Sequence, residues 1–170
     1  MTFPVPKDVR GTRNFEIILG TDEMLRQSKG LSDEAADVDQ GEWMKPFASD
    51  GTKVAKIVVA DDIDAPALGA KASWTAYRQN DLSNGQTDAL ATKSCDVLSG
   101  NYQAKTKLYN TGSGVLDPGN LLVAVFDATL DGGHLDAVNP ATATVRQLQA
   151  VVGRIIDVAN GQLHYEAPGL

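Results

Sequence analysis

Cysteine is almost absent from this chain: Cys95 is the only one, so no disulfide can close within it. Two histidines, His134 and His164, add little from which to build a zinc site. Long apolar runs are missing too. The longest, residues 121–126, is far too short to cross a bilayer as a helix, and the N-terminus lacks the basic-then-apolar order of a signal peptide. The expectation is a soluble chain with no membrane partner. Positive charge is scarce, since 15 Lys and Arg stand against 22 Asp and Glu for a net charge of −7. That balance is poorly suited to neutralising a phosphate backbone, and direct nucleic-acid binding is not expected. What is present is a hydrophobic fraction of 42% over 170 residues, enough for one core.

Glycine punctuates the chain at short intervals, with turn-prone pairs at Asp50-Gly51, Asn84-Gly85, Pro118-Gly119, Gly132-Gly133 and Asn160-Gly161. Between them lie β-type segments at about 15–19, 43–47, 53–60, 72–77, 94–98, 102–109, 121–126 and 148–165, the last broken at its Asn-Gly. The expected fold is mainly β: a compact antiparallel β-barrel or sandwich with long loops and at most one or two short helices. Residues 1–14 read as an N-terminal arm and 15–170 as a single β-rich domain. Within it, residues 21–42 read as a long polar loop, with at most a turn or two of helix after Thr21 and an acidic stretch at 31–42 (Asp33, Glu34, Asp37, Asp39, Glu42). A second candidate turn of helix lies at 141–148, where Val145 and Leu148 are three apart.

A two-residue Asn160-Gly161 turn predicts Val158 opposite Leu163 and Ile156 opposite Tyr165 on one apolar face, with Asp157 across from His164 on the other. Tyr102, Ala104, Thr106 and Leu108 alternate with polar Gln103, Lys105 and Lys107 and with Tyr109, the pattern of a strand with one wet face. Residues 121–126 do not alternate, which predicts burial on both faces or a face meeting a partner. Around Asp50-Gly51 a two-residue turn would oppose Lys45 and Lys56; a three-residue loop shifts that register, and Pro46 points to an edge strand.

Candidate chemistry is sparse. Asp61, Asp62 and Asp64 lack the spacing of a calcium loop and read as a solvated turn. Ser113, between two glycines, lacks the surroundings of a nucleophile elbow, and phosphate-cradling glycine motifs are missing. Cys95 reads as a small buried hydrophobe on a strand, and both histidines as surface or half-buried polar residues. No catalytic residue, cofactor site or metal site is expected. Lys7, Arg10 and Arg13 make the first fourteen residues basic within an acidic chain, while Pro4 and Pro6 discourage regular structure there.

From Trp74 onward the order of signals resembles that of the decoration or cement proteins of tailed-bacteriophage heads. The residues that carry the likeness are Tyr109-Asn110-Thr111-Gly112, then Asp117-Pro118-Gly119-Asn120-Leu121-Leu122-Val123, then Val152-Gly153-Arg154-Ile155-Ile156 leading to Gly161-Gln162-Leu163-His164-Tyr165. Residues 15–20 and Gly41-Glu42-Trp43 are similar to the N-terminal portion of those proteins. The resemblance implies a non-enzymatic structural protein of the virion, made in the host cytoplasm. It would sit on the capsid's outer surface against the major capsid protein, stabilise the head, and self-associate as a homotrimer. Lys7, Arg10 and Arg13 are then candidate capsid contacts. Two other readings stay open: a tail or baseplate component, and a carbohydrate-binding β-barrel in which Trp43 and Trp74 stack on sugar rings.

Overall fold

The computed structural model describes residues 15–20, 24–31, 38, 41–47, 50–57, 74–76, 94–111, 115–128 and 132–167. They form eleven strands and one short helix: β1 (Phe15–Gly20), β2 (Leu25–Leu31), β3 (Trp43–Phe47), β4 (Asp50–Lys56), β5 (Trp74–Ala76), β6 (Ser94–Ser99), β7 (Tyr102–Thr106), β8 (Leu121–Asp127), β9 (Gly132–Val138), α1 (Val145–Gln149), β10 (Val151–Ala159) and β11 (Gln162–Ala167). The protein is mainly β with largely antiparallel pairing, as the glycine-punctuated β-type segments of its sequence predicted. One sheet runs β1-β7-β11-β10-β8-β9, and β2-β4-β3-β5-β6 pair in a ring that returns to β2. Within the ring, β2 and β4 run parallel.

The six-stranded sheet curls. Asn110 N donates to the Leu135 carbonyl at 2.8 Å and Leu135 N to the Leu108 carbonyl at 3.0 Å, so β9, at one end of the strand order, bonds to the continuation of β7 near the other. Bulges supply the bend. β10 breaks register twice, between Val151 and Gly153 against β8 and between Ile155 and Asp157 against β11, and each bulge adds local twist. Gly153 leaves room for this: a Cβ there would stand 2.7 Å from the Glu166 carbonyl oxygen and 3.2 Å from the Tyr165 ring.

The terminal hairpin forms around Asn160 (φ 54°) and Gly161 (φ 71°), the positive angles its turn requires. Val158 opposes Leu163 and Asp157 opposes His164, as predicted, but Ile155 rather than Ile156 faces Tyr165. The bulge at Ile156 makes the difference, turning Ile155 into the core and leaving Ile156 half-buried. Replacing Asn160-Gly161 by Val-Val is expected to lower the melting temperature by several degrees, because β-branched residues resist positive φ. An unchanged thermal transition would show that the turn does not hold the hairpin.

Two further segments depart from expectation. Residues 25–31, inside the stretch read as a polar loop, form β2, held between β4 and β6. Pairing on both sides overrides a sequence with no apolar alternation. Gly132-Gly133, read as a turn, opens β9 instead. A Cβ on Gly133 would collide with the Trp43 carbonyl oxygen, so these glycines permit close approach of β3 rather than a reversal of the chain. The β3–β4 hairpin sets Lys45 against Ala55 and Met44 against Lys56, which avoids a lysine pair, and Pro46 lies beyond the residues where β3 meets β5.

Packing joins the two sheets through one cluster. Trp43, Ile57 and Leu98 from the ring side are buried with Leu122, Leu135, Ile155, Leu163 and Tyr165 of the curled sheet. An aromatic chain threads it: Phe15 meets Tyr102 edge-on at 6.3 Å, Tyr102 meets Tyr165 at 6.2 Å, and Tyr165 meets Trp43 at 6.5 Å. Residues 121–126 owe their double-sided apolarity to this core, since Leu122, Val123 and Ala124 are buried and the rest half-buried. α1 begins with a reciprocal cap in which Gln147 N donates to Thr144 Oγ1 at 3.2 Å and Thr144 N donates to Gln147 Oε1 at 2.9 Å. Val145 and Leu148 on this helix are exposed rather than packed.

Candidate functional site

The residues predicted to contact a partner, Lys7, Arg10 and Arg13, lie outside the described residues, as do Asp61, Asp62, Asp64 and Ser113. The side chains of Cys95 and Trp74 lie outside them as well; the backbone of each sits on a strand, β6 and β5 respectively. Among the described residues no group of three His, Cys, Asp or Glu side chains is placed to hold a metal ion. Those residues do form three other constellations, one buried, one charged and one apolar.

The first is buried. Alternation puts Glu42 on the same side of β3 as Met44, and the β3–β4 register puts Lys56 directly opposite Met44. Lys56 Nζ consequently stands 3.5 Å from Glu42 Oε1, with the two side chains 5% and 3% exposed. Gly132 of β9 closes over this pair, since a Cβ there would overlap the Glu42 carboxylate. Glu42 is thus no part of a solvated acidic loop: being next to Trp43 and across from a strand buried at Val54, Ala55 and Ile57 decides its place. His134, expected at the surface or half-buried, is instead fully buried, because β9 is packed along nearly its whole length, whereas His164 is half-buried as expected. The sequence signal for this cluster was one charge of each sign embedded in otherwise apolar runs, Glu42 before Trp43-Met44 and Lys56 between Ala55 and Ile57. The net stabilisation from such a pair is small, because removing both charges from water offsets much of their attraction.

The second constellation lies across the outer face of the curled sheet. The registers align Glu16 of β1, Lys105 of β7, His164 of β11 and Asp157 of β10 in one row, and Gln103, Glu166 and Arg154 in the next. Glu16 stands beside Lys105 in the first row and Glu166 beside Arg154 in the second, so unlike charges are neighbours in each, and each exposed pair contributes little on its own. Beside Arg154 and Glu166 an open cleft of about 300 Å³ is lined by Asn101, Leu121, Val151, Gly153 and Ala167.

The third constellation is apolar and exposed. Ile18 and Leu19 on β1 are 45% and 53% exposed, and Leu25 at the start of β2 is 53% exposed. They share one end of the molecule: Gly20 lies across from Tyr102 and Leu25 across from Ser99, on either side of the short β6–β7 connection. β1 ends the strand order of its sheet, with β7 as its one partner strand among the described residues. This edge leads back along the chain to the basic residues 1–14.

The fold defines a mainly β protein whose edge strand β1, with Ile18 and Leu19 exposed, follows a basic segment in the sequence. Comparison with protein-family models, with curated proteins and with solved structures yields no match to this chain.

Proposed function

We propose that the chain is a non-enzymatic structural protein of a tailed-bacteriophage virion, decorating or cementing the major capsid protein lattice on the outer surface of the head and stabilising it. The observation that carries this reading is where most of the resembling segments fall. Tyr109-Asn110 bonds to β9, Pro118-Gly119 turns into β8, and Val152 to Ile156 with Gly161 to Tyr165 make the β10–β11 hairpin, so these belong with β1 to one curled sheet, while Gly41-Glu42-Trp43 leads into β3 of the other. In this reading several modest contacts per copy, repeated over a lattice, supply the strength. A homotrimer suits threefold positions of such a lattice, because closed cyclic symmetry matches them. Lys7, Arg10 and Arg13 dock on acidic capsid surface, and Pro4 and Pro6 limit the entropy lost when the arm orders.

Deleting residues 1–14 is expected to leave a folded protein that binds empty heads more weakly. Charge reversal at Arg10 and Arg13 should weaken binding as well, with the larger loss at low salt, where screening is least. Occupancy on purified heads measures both. Truncated protein that coats heads fully would remove the arm from the reading, and co-purification of the intact protein with tails alone would replace it by the tail or baseplate alternative. The carbohydrate-binding alternative loses one of its two stacking residues, since Trp43 is a buried core anchor.

A further inference from the structure

We infer that Asn160 is a latent site of deamidation, closed while the β10–β11 turn is formed and opened when that hairpin separates. The sequence supplies the chemistry. An asparagine amide followed by glycine is open to attack by the glycine's own backbone nitrogen, because glycine puts no side chain in the way. The Gly161 nitrogen gives its proton to hydroxide and bonds to Asn160 Cγ. The Cγ–Nδ2 bond breaks, and ammonia leaves with a proton taken from water, which closes a five-membered succinimide. Water then opens that ring at either carbonyl and yields aspartate or its isoaspartyl isomer. Solvent access favours the reaction: Asn160 and Gly161 are both exposed, and a Cβ on Gly161 would meet nothing within 4 Å.

The turn itself stands against it. At φ 54° Asn160 lies in the left-handed region, where ψ is about +30° to +60°. The Gly161 nitrogen then points away from Cβ, so ring closure needs about half a turn about the Cα–C bond of Asn160. Made at that φ, the rotation would carry Asn160 into backbone space that only glycine occupies comfortably. Nor is the chain beyond free to follow, since Gln162 pairs with Ala159, Leu163 pairs with Val158, and Leu163 is fully buried. Separating the hairpin removes both obstacles. An isoaspartyl chain carries one extra main-chain atom between residues 160 and 161, so the two-residue turn cannot close again with Leu163 opposite Val158. An aspartyl chain can, because Asp-Gly accepts the same turn. The reaction thus makes a reversible opening permanent, and it does not depend on the decoration reading.

The test ages the full chain at mildly alkaline pH, folded in buffer or unfolded in guanidinium chloride. Peptide 155–170, which trypsin releases after Arg154, is followed for the mass gain of deamidation and for labelling by isoaspartyl methyltransferase. Conversion is expected to be at least about tenfold slower in the folded chain, because it then waits on a minor open population. Asn160→Gly keeps a turn of the same type without an amide to lose, and should abolish the mass gain. Leu163→Ala loosens the hairpin and should raise the folded rate several-fold; Val158→Ala, across the same pair, serves where the first variant does not fold. Chains aged in buffer until they are isoaspartyl should melt several degrees below fresh ones. Equal rates in the folded and unfolded chain would overturn the inference, as would a folded, loosened variant that reacts no faster than the parent. Identical melting of aged and fresh chains would overturn the permanence of the opening.

Discussion

Lys56→Met is expected to lower the free energy of unfolding by about 3–5 kcal/mol, the usual cost of removing one member of a buried ion pair. The Glu42 carboxylate would stay beneath Gly132 without the ammonium group that stands 3.5 Å from it. Replacing both partners by apolar residues of similar volume, Glu42→Leu with Lys56→Met, should recover most of that loss, because no uncompensated charge then remains in the interior. Urea denaturation of the two single variants and the double variant measures the difference. If the double variant is as unstable as the singles, the pair contributes through packing of its side-chain stems and not through charge.

Tyr165→Ala is expected to cost about 3–5 kcal/mol, the range for truncating a buried aromatic side chain. Its ring stands between Tyr102 and Trp43, so it links the curled sheet to β3 of the other sheet. The comparison is Tyr109→Ala, which removes a half-buried ring outside that aromatic chain and should cost clearly less. Thermal unfolding of the two variants side by side tests the ranking. Equal destabilisation would mean that the contact between the sheets is not held by the aromatic chain.

What the sequence made legible was local. Asn160-Gly161 announced its turn because few residue pairs accept two positive φ angles, and the alternation through residues 102–108 announced β7 because one side of that strand meets the core and the other meets water. Register was harder. Ile155 and Ile156 are chemically the same, and only the bulge, set by how β10 bends between two neighbours, decides which of them faces Tyr165. β2 left no trace in hydropathy, since Leu25-Arg26-Gln27-Ser28-Lys29-Gly30-Leu31 becomes a strand through hydrogen bonds to β4 and β6. The glycines at 132 and 133 carried two meanings, turn or close approach, and the choice rests on β3, nearly ninety residues earlier in the chain. The burial of the Glu42–Lys56 pair was hidden in the same way, because Gly132 of β9 closes over it from far along the chain, although the strand after the basic segment could be placed from the sequence at once.

The stretch from Ser94 to Asn110 has a consequence for how the molecule opens. As β6 it bonds to β2 and β5, as β7 to β1 and β11, and in its last residues to β9. Five strands from both sheets are therefore laced to one continuous ribbon. Drawing that ribbon out would strip the laced edges of both sheets together, whereas pulling on the β10–β11 hairpin would load seams of the curled sheet alone, β11 against β7 and β10 against β8. Force entering at either sheet reaches the other along covalent backbone, without having to cross the side-chain packing between them.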